Sequence, residues 1–485
     1  MRLLGTRYRK EELDAAEKES AALESEYKSI REKISSRYPA YDQITRPVAW
    51  NLQQIQQQVI ADDQTLLLEY SLGEKTSYVW AVTSTTCATY ELPGEATIGS
   101  AVSRVYESVK EPPSVASAQL SDAAHVLTDL VLSPVANELR QHRRLIVVAD
   151  ASLNYVPFQV LPQPGSEEPL IAAHEIVNAP SATILGELQR EASRRPLPTN
   201  VLAAFGDPAF VANYNHTTNI KNDHIATANS LEDYRWQAAL RDIEPTADLN
   251  DHLELRPLFY AREELANLRA IAGDRSFIAS GFAASRANLQ ATNLSSYAVL
   301  HFATHGILDP KRPDKSGLVL STFTPDGKRL NGFVGLNDIY GLRAPVDLVV
   351  LSACRTGLGK DFQGEGLIGL TRGFMYAGAS SVVASLWKVD DEATAELMKR
   401  FYSNLLERKM PPAAALREAQ NSLRRDPEWS APYYWAAFTL QGDYRNPIRV
   451  NPSAESLHNL EIILAALAIM FPWLIFSHRR MKARL

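Results

Sequence analysis

Leu348-Val349-Val350-Leu351-Ser352-Ala353-Cys354-Arg355-Thr356-Gly357 opens as an apolar run, breaks into small and polar residues, and closes on a glycine. A short continuous run rich in β-branched residues reads as a strand buried on both faces of a parallel sheet. Cys354 falls just past the carboxyl end of that strand, where open α/β sheets collect their ligands. A single thiol there is either a buried structural cysteine, the commonest fate of a free Cys, or a nucleophile served by a base.

A second buried strand precedes it, Tyr297-Ala298-Val299-Leu300-His301-Phe302-Ala303-Thr304-His305-Gly306. His301 lies within the run and reads as a hydrogen-bonded core imidazole. His305 comes at the carboxyl end, 49 positions before Cys354. If the two strands are neighbours in a parallel sheet, His305 and Cys354 emerge on one edge as a Cys–His pair. Spacing alone leaves that pairing open, since such pairs are not specific to one family.

His301-Phe302-Ala303-Thr304-His305-Gly306 followed by Leu351-Ser352-Ala353-Cys354-Arg355-Thr356-Gly357 resembles the signature of CHAT domains, caspase-like cysteine peptidases often found with tetratricopeptide repeats. Gly364-Glu365-Gly366-Leu367 through Gly378-Ala379, and Ser385-Leu386-Trp387-Lys388-Val389-Asp390-Asp391, extend the likeness, the last segment resembling separase as well. Asn154-Tyr155-Val156-Pro157-Phe158 and Phe205-Gly206-Asp207-Pro208 are weaker landmarks. The resemblance covers roughly residues 62 to 443. It implies a caspase-like α/β fold, no cofactor, and a dyad of His305 and Cys354 that cleaves peptide bonds. It also implies a first half that is noncatalytic and pseudo-caspase-like. In separase the matching segment carries the acidic group that receives arginine. Here the match falls on Asp391, with Asp390 beside it. Asp391 and Asp390 are therefore candidate substrate-binding residues, with Asp207 of the weaker landmark a further candidate, although Asp390 before an apolar-periodic helix also reads as an N-cap, and Lys388 weakens the local negative potential.

At 485 residues the chain is too long for one core. A net charge of −6, with no Lys/Arg-rich block in the body, argues against a nucleic-acid partner. Two cysteines, Cys87 and Cys354, give no disulfide framework and no Cys-based metal site. Pairing them would silence the nucleophile, which favours a reducing compartment. The first residues lack the apolar run of a signal peptide. Ile462 to Phe476 is uncharged and is followed by His478, Arg479, Arg480, Lys482 and Arg484. At 15 residues it falls short of the roughly 20 that a spanning helix needs. The expectation is nonetheless a cytoplasmic protein anchored to a membrane by a single-pass or interfacial helix.

The organisation read from the sequence is a helical segment at 1–60, a noncatalytic α/β half at 61–195, a catalytic half at 196–445, a linker at 446–459, the hydrophobic helix at 460–477 and a basic tail at 478–485. Leu13, Ala16, Ser20, Leu23, Tyr27, Ile30 and Ile34 follow a coiled-coil-like seam, and no 34-residue repeat accompanies it. A regulatory protein partner is expected to act through these helices or separately. Strands are expected at 65–70, 77–84, 87–92, 145–149, 201–205, 276–279, 298–303, 317–320, 348–352 and 381–386. Helices are expected at 261–272, 366–377, 392–406 and 413–424. Alternation of this kind predicts a doubly wound sheet. Val211 to Arg256 is polar and weakly periodic, a loop length that is usually functional or disordered.

Peptide hydrolysis needs an activated sulfur, a proton donor for the leaving amine and donors for the oxyanion. Cys354 and His305 supply the first two, and the backbone N–H groups of Gly306 and Cys354 are the candidates for the third. Gly364, Gly366 and Gly369 meet a GxGxxG spacing but do not directly follow a strand, so nucleotide binding is a weak reading. Three functions remain: an endopeptidase acting on protein substrates, a catalytically silent scaffold, and a Cys–His acyl transferase or other hydrolase.

Overall fold

The computed structural model describes residues 48–111, 113–212, 214, 255, 258, 260–308, 315–352, 365–387 and 389–452, with 25 and 29. Apart from residues 25 and 29, the helical segment expected up to residue 47 lies outside them, as do the expected nucleophile Cys354 and the stretch 453–485.

The strands are β1 (Thr65–Ser71), β2 (Thr76–Val82), β3 (Cys87–Pro93), β4 (Arg144–Val148), β5 (Glu175–Asn178), β6 (Asn200–Pro208), β7 (Ser276–Gly281), β8 (Tyr297–Ala303), β9 (His305–Ile307), β10 (Gly317–Val319), β11 (Phe333–Gly335), β12 (Leu348–Leu351), β13 (Ser381–Ser385) and β14 (Phe438–Gly442). Eleven of them form one sheet in the order β3-β2-β1-β4-β5-β14-β13-β12-β8-β6-β7. This is a mixed α/β fold whose large sheet is mostly parallel. The longer helices are α1 (Glu95–Val109), α2 (Pro113–Val131), α3 (Ala182–Arg194), α4 (Ala261–Ala272), α5 (Glu365–Tyr376), α6 (Asp391–Tyr402) and α7 (Pro412–Arg424).

β1, β4 and β5 run parallel to one another and to β14. β14 is antiparallel to β13, and from there β13, β12, β8, β6 and β7 are again parallel. Apart from the antiparallel β1-β2-β3 edge, the sheet is thus two parallel blocks of opposite direction joined at β14, a strand the sequence reading did not expect. Residues 317–320, expected in the main sheet, instead lie largely in β10 of a three-stranded antiparallel sheet with β9 and β11. The two halves share one continuous apolar core.

Successive side chains of a strand point to opposite faces, and β8 shows what covers each. Phe302 meets Phe374 of α5, while the neighbouring His301 meets Tyr402 of α6. α4 packs beside α6 on the His301 side. Burial on both faces explains why β12 reads as an unbroken apolar run and β8 as one interrupted only by His301.

The expectation of a single-pass membrane anchor is corrected. No helix among the described residues is long and apolar enough to cross a membrane. The 460–477 stretch that suggested one lies outside those residues, and its uncharged run is too short on its own to span a bilayer.

Candidate active site

β8 and β12 are direct parallel neighbours, with Phe302 opposite Leu351 and His301 opposite Val350. The Ser352 amide prolongs the ladder by donating to the Phe302 carbonyl at 3.0 Å. The chain therefore leaves both strands at one sheet edge. Past β8, the buried Thr304 donates its hydroxyl to the Val319 carbonyl, which turns the chain into β9. His305 is the first residue of β9, is half-buried, and lies opposite Val319, with Gly306 opposite Leu318. The Phe210 ring packs on the His305 imidazole, centroids 5.4 Å apart and planes 31° from parallel. Cys87 begins β3 and is exposed, far along the sheet order from this edge.

β6 flanks β8 on its other side and carries Gly206 opposite Ala303. A Cβ on Gly206 would sit 2.8 Å from the Ala303 Cβ and 3.1 Å from Leu265 Cδ1, so only glycine permits this approach. Asp207 follows with φ of 47°, a left-handed backbone that costs any residue with a side chain. It is 4% exposed. Its carboxylate accepts from Arg262 Nε at 3.0 Å and from the Tyr214 hydroxyl. Burial first, and then the bond to Asp207, push the Tyr214 hydroxyl up to about 12. Asp207 is thus already engaged within the chain.

On the far side of β12, β13 leads into the buried Leu386 and Trp387. Trp387 donates its indole N–H to the Tyr433 carbonyl at 3.2 Å, and the Tyr106 hydroxyl of α1 donates to the Leu386 carbonyl at 3.0 Å. Tyr106 and Trp387 also meet edge to face, so α1 supports this segment directly. Asp390 is the N-cap of α6: its carboxylate accepts from the Glu392 and Ala393 amides at 3.1 and 3.0 Å. Asp391 is the first helical residue and half-buried. Burial first, then Asp390 and later Asp391 among its neighbours, raise the Tyr433 hydroxyl.

Beneath the edge lies a polar cluster that the sequence reading did not contain. Glu264 of α4 approaches His301 Nε2 to 3.0 Å, and His301 Nδ1 lies 3.0 Å from the Tyr402 hydroxyl. The Ser352 hydroxyl donates to the other Glu264 oxygen at 3.2 Å. The Glu264–His301 contact has the length of an ion pair but is out of line for a hydrogen bond. Burial, and secondarily the Glu264 carboxylate, push the Tyr402 hydroxyl well above its ordinary range. The expectation that His301 is a bonded core imidazole agrees with this arrangement. Glu264 gave no such signal, because Glu263-Glu264 in a first helical turn looks like an ordinary solvated, dipole-favoured pair.

Residues 121–443 match the CHAT domain family. The chain belongs to that family. Tetratricopeptide repeat protein 28 from mouse and from human are each 25% identical to it over 352 residues, 65% of this chain. The chain spans 13% of the length of these curated relatives. Among solved structures, the Arg-specific cysteine proteinase gingipain R is 10% identical with a TM-score of 0.39, over 73% of this chain and 76% of that one. The Saccharomyces cerevisiae separase–securin complex is 9% identical with a TM-score of 0.45, over 85% of this chain and 31% of that one.

Proposed function

We propose that this CHAT domain protein is a cysteine endopeptidase that cleaves protein substrates through a dyad of His305 and Cys354, without a cofactor. The observation that carries the reading is the parallel, in-register pairing of β8 with β12. His305 and Cys354 each follow by three positions the paired residues Phe302 and Leu351. In this reading His305 takes the Cys354 proton and the thiolate attacks the scissile carbonyl carbon. The amides of Gly306 and Cys354 receive the oxyanion, and His305 returns the proton to the departing amine. Water, deprotonated by the same imidazole, then releases the thioester-bound acyl group.

A basic residue before the cleaved bond belongs to the same proposal, received by Asp391 with Asp390 beside it. Asp207 contributes by holding Arg262 and Tyr214 at the neighbouring strand end. Control by a regulatory protein partner completes the reading.

The test is cleavage-site profiling on a denatured proteome with wild type, Cys354→Ala and His305→Ala. Cleavage by wild type that both substitutions abolish, with the fold retained, is the expected result. Cleavage retained by Cys354→Ala overturns the assignment. Binding without turnover returns the scaffold reading, and acyl transfer to an added amine returns the transferase.

A further inference from the structure

The Glu264, His301, Tyr402 and Ser352 cluster is not used by the chemistry above, and its place demands an account. Glu264 is 4% exposed, while His301 and Ser352 are fully buried. Removing a carboxylate and an imidazole from water is costly, and well-packed apolar residues of the same size are often as stabilising or more so. Fold stability alone therefore does not explain an acid here. What apolar side chains cannot do is hold fixed directions between separate elements, and this cluster joins four. Glu264 belongs to α4, His301 to the strand that leads to the base, Tyr402 to α6, and Ser352 follows the strand that leads to the nucleophile.

We propose that Glu264 is a positioning residue for the Cys354–His305 dyad, acting through the Ser352 hydroxyl. The inference rests on the dyad reading above. Ser352 stands two positions before Cys354, and two bonds hold it: its amide to the Phe302 carbonyl at 3.0 Å and its hydroxyl to Glu264 at 3.2 Å, with the Phe302 carbonyl a second acceptor for that hydroxyl at 3.3 Å. The first bond fixes its distance from β8. The second fixes its rotation about the strand axis, which sets the direction in which the chain departs. The same carboxylate faces His301, four positions before His305. One buried group thereby sets two strand ends relative to each other, and small misplacements of reacting groups cost roughly a hundredfold in rate.

The test uses the full chain with Cys87→Ser, so that alkylation by iodoacetamide reports Cys354 alone. Ser352→Ala and Glu264→Gln preserve shape, and a melting temperature close to the parent shows that the fold is kept. Each substitution is expected to slow Cys354 alkylation and peptide turnover by at least about tenfold with KM little changed. The double variant should lose little more than either single one, because one linkage is being cut. His305→Ala in the same background separates the two ideas. Wild type alkylating no faster than His305→Ala removes the dyad, and the positioning role with it. A fast wild type, a slow His305→Ala and unchanged Ser352→Ala and Glu264→Gln overturn the positioning role alone. Equal losses in every variant tied to a large fall in melting temperature also overturn it, leaving the cluster purely structural.

Discussion

Replacing Asp347 with asparagine should stabilise the protein at neutral pH. Asp347 immediately precedes β12, at the end of that strand away from Ser352. Its amide donates to the Ala298 carbonyl at 2.8 Å and its carbonyl accepts from the Ser381 hydroxyl at 2.7 Å. Both are backbone groups that the substitution leaves in place. The side chain is half-buried near Arg195, Asp443 and Arg449. Burial is the main cause raising its carboxyl from 3.8 to about 6, with Asp443 adding and the two arginines opposing. A folded-state value above the unfolded one means that the native state holds this proton more tightly. The resulting stabilisation is complete below the unfolded value and is lost as pH rises from about 4 through about 6. At neutral pH the ionised carboxylate costs at most about 3 kcal/mol, from roughly 2 units at ~1.4 kcal/mol each. Partial exposure screens that to about 1 kcal/mol. Chemical denaturation should give Asp347→Asn a higher midpoint than wild type at about pH 7.5, with an unchanged slope. The gap should close toward about pH 4. A variant no more stable at neutral pH, or an advantage that persists in acid, refutes the reasoning.

Gly206→Ala should cost about 1–3 kcal/mol by forcing β6 away from Ala303, read as a lower melting temperature accompanied by slower peptide cleavage. His301→Ala should destabilise by about 2–5 kcal/mol, because it opens a cavity at a fully buried position and takes the imidazole from beside the Tyr402 hydroxyl; a denaturation midpoint near that of wild type would contradict this. In a library varied at the residue before the cleaved bond, Arg or Lys should lead by at least about tenfold, and Asp391→Asn should erase the lead. An apolar preference that survives Asp391→Asn would leave that residue a helix-terminus acid only.

The sequence by itself determined the local elements and their ends. Leu348–Leu351 and Tyr297–Ala303 are strands because β-branched apolar runs can be buried on both faces. Asp390 caps α6 because its short carboxylate reaches two amides left open at a helix start. His301 was legible as a buried imidazole from its place inside an apolar run. The 15 uncharged residues from Ile462 to Phe476 suggested a membrane anchor by composition, while their number already fell short of a span. Only the tertiary structure decided that β8 and β12 are neighbours and that β14 joins two blocks of opposite direction. It also decided that Gly206 is required by Ala303, and that Glu264 turns inward to His301 and Ser352. Periodicity and capping depend on residues a few positions apart, so the chain records them locally. Which strand lies beside which depends on packing summed over distant segments, and a glutamate at a helix start looks the same in sequence whether it meets water or a buried histidine.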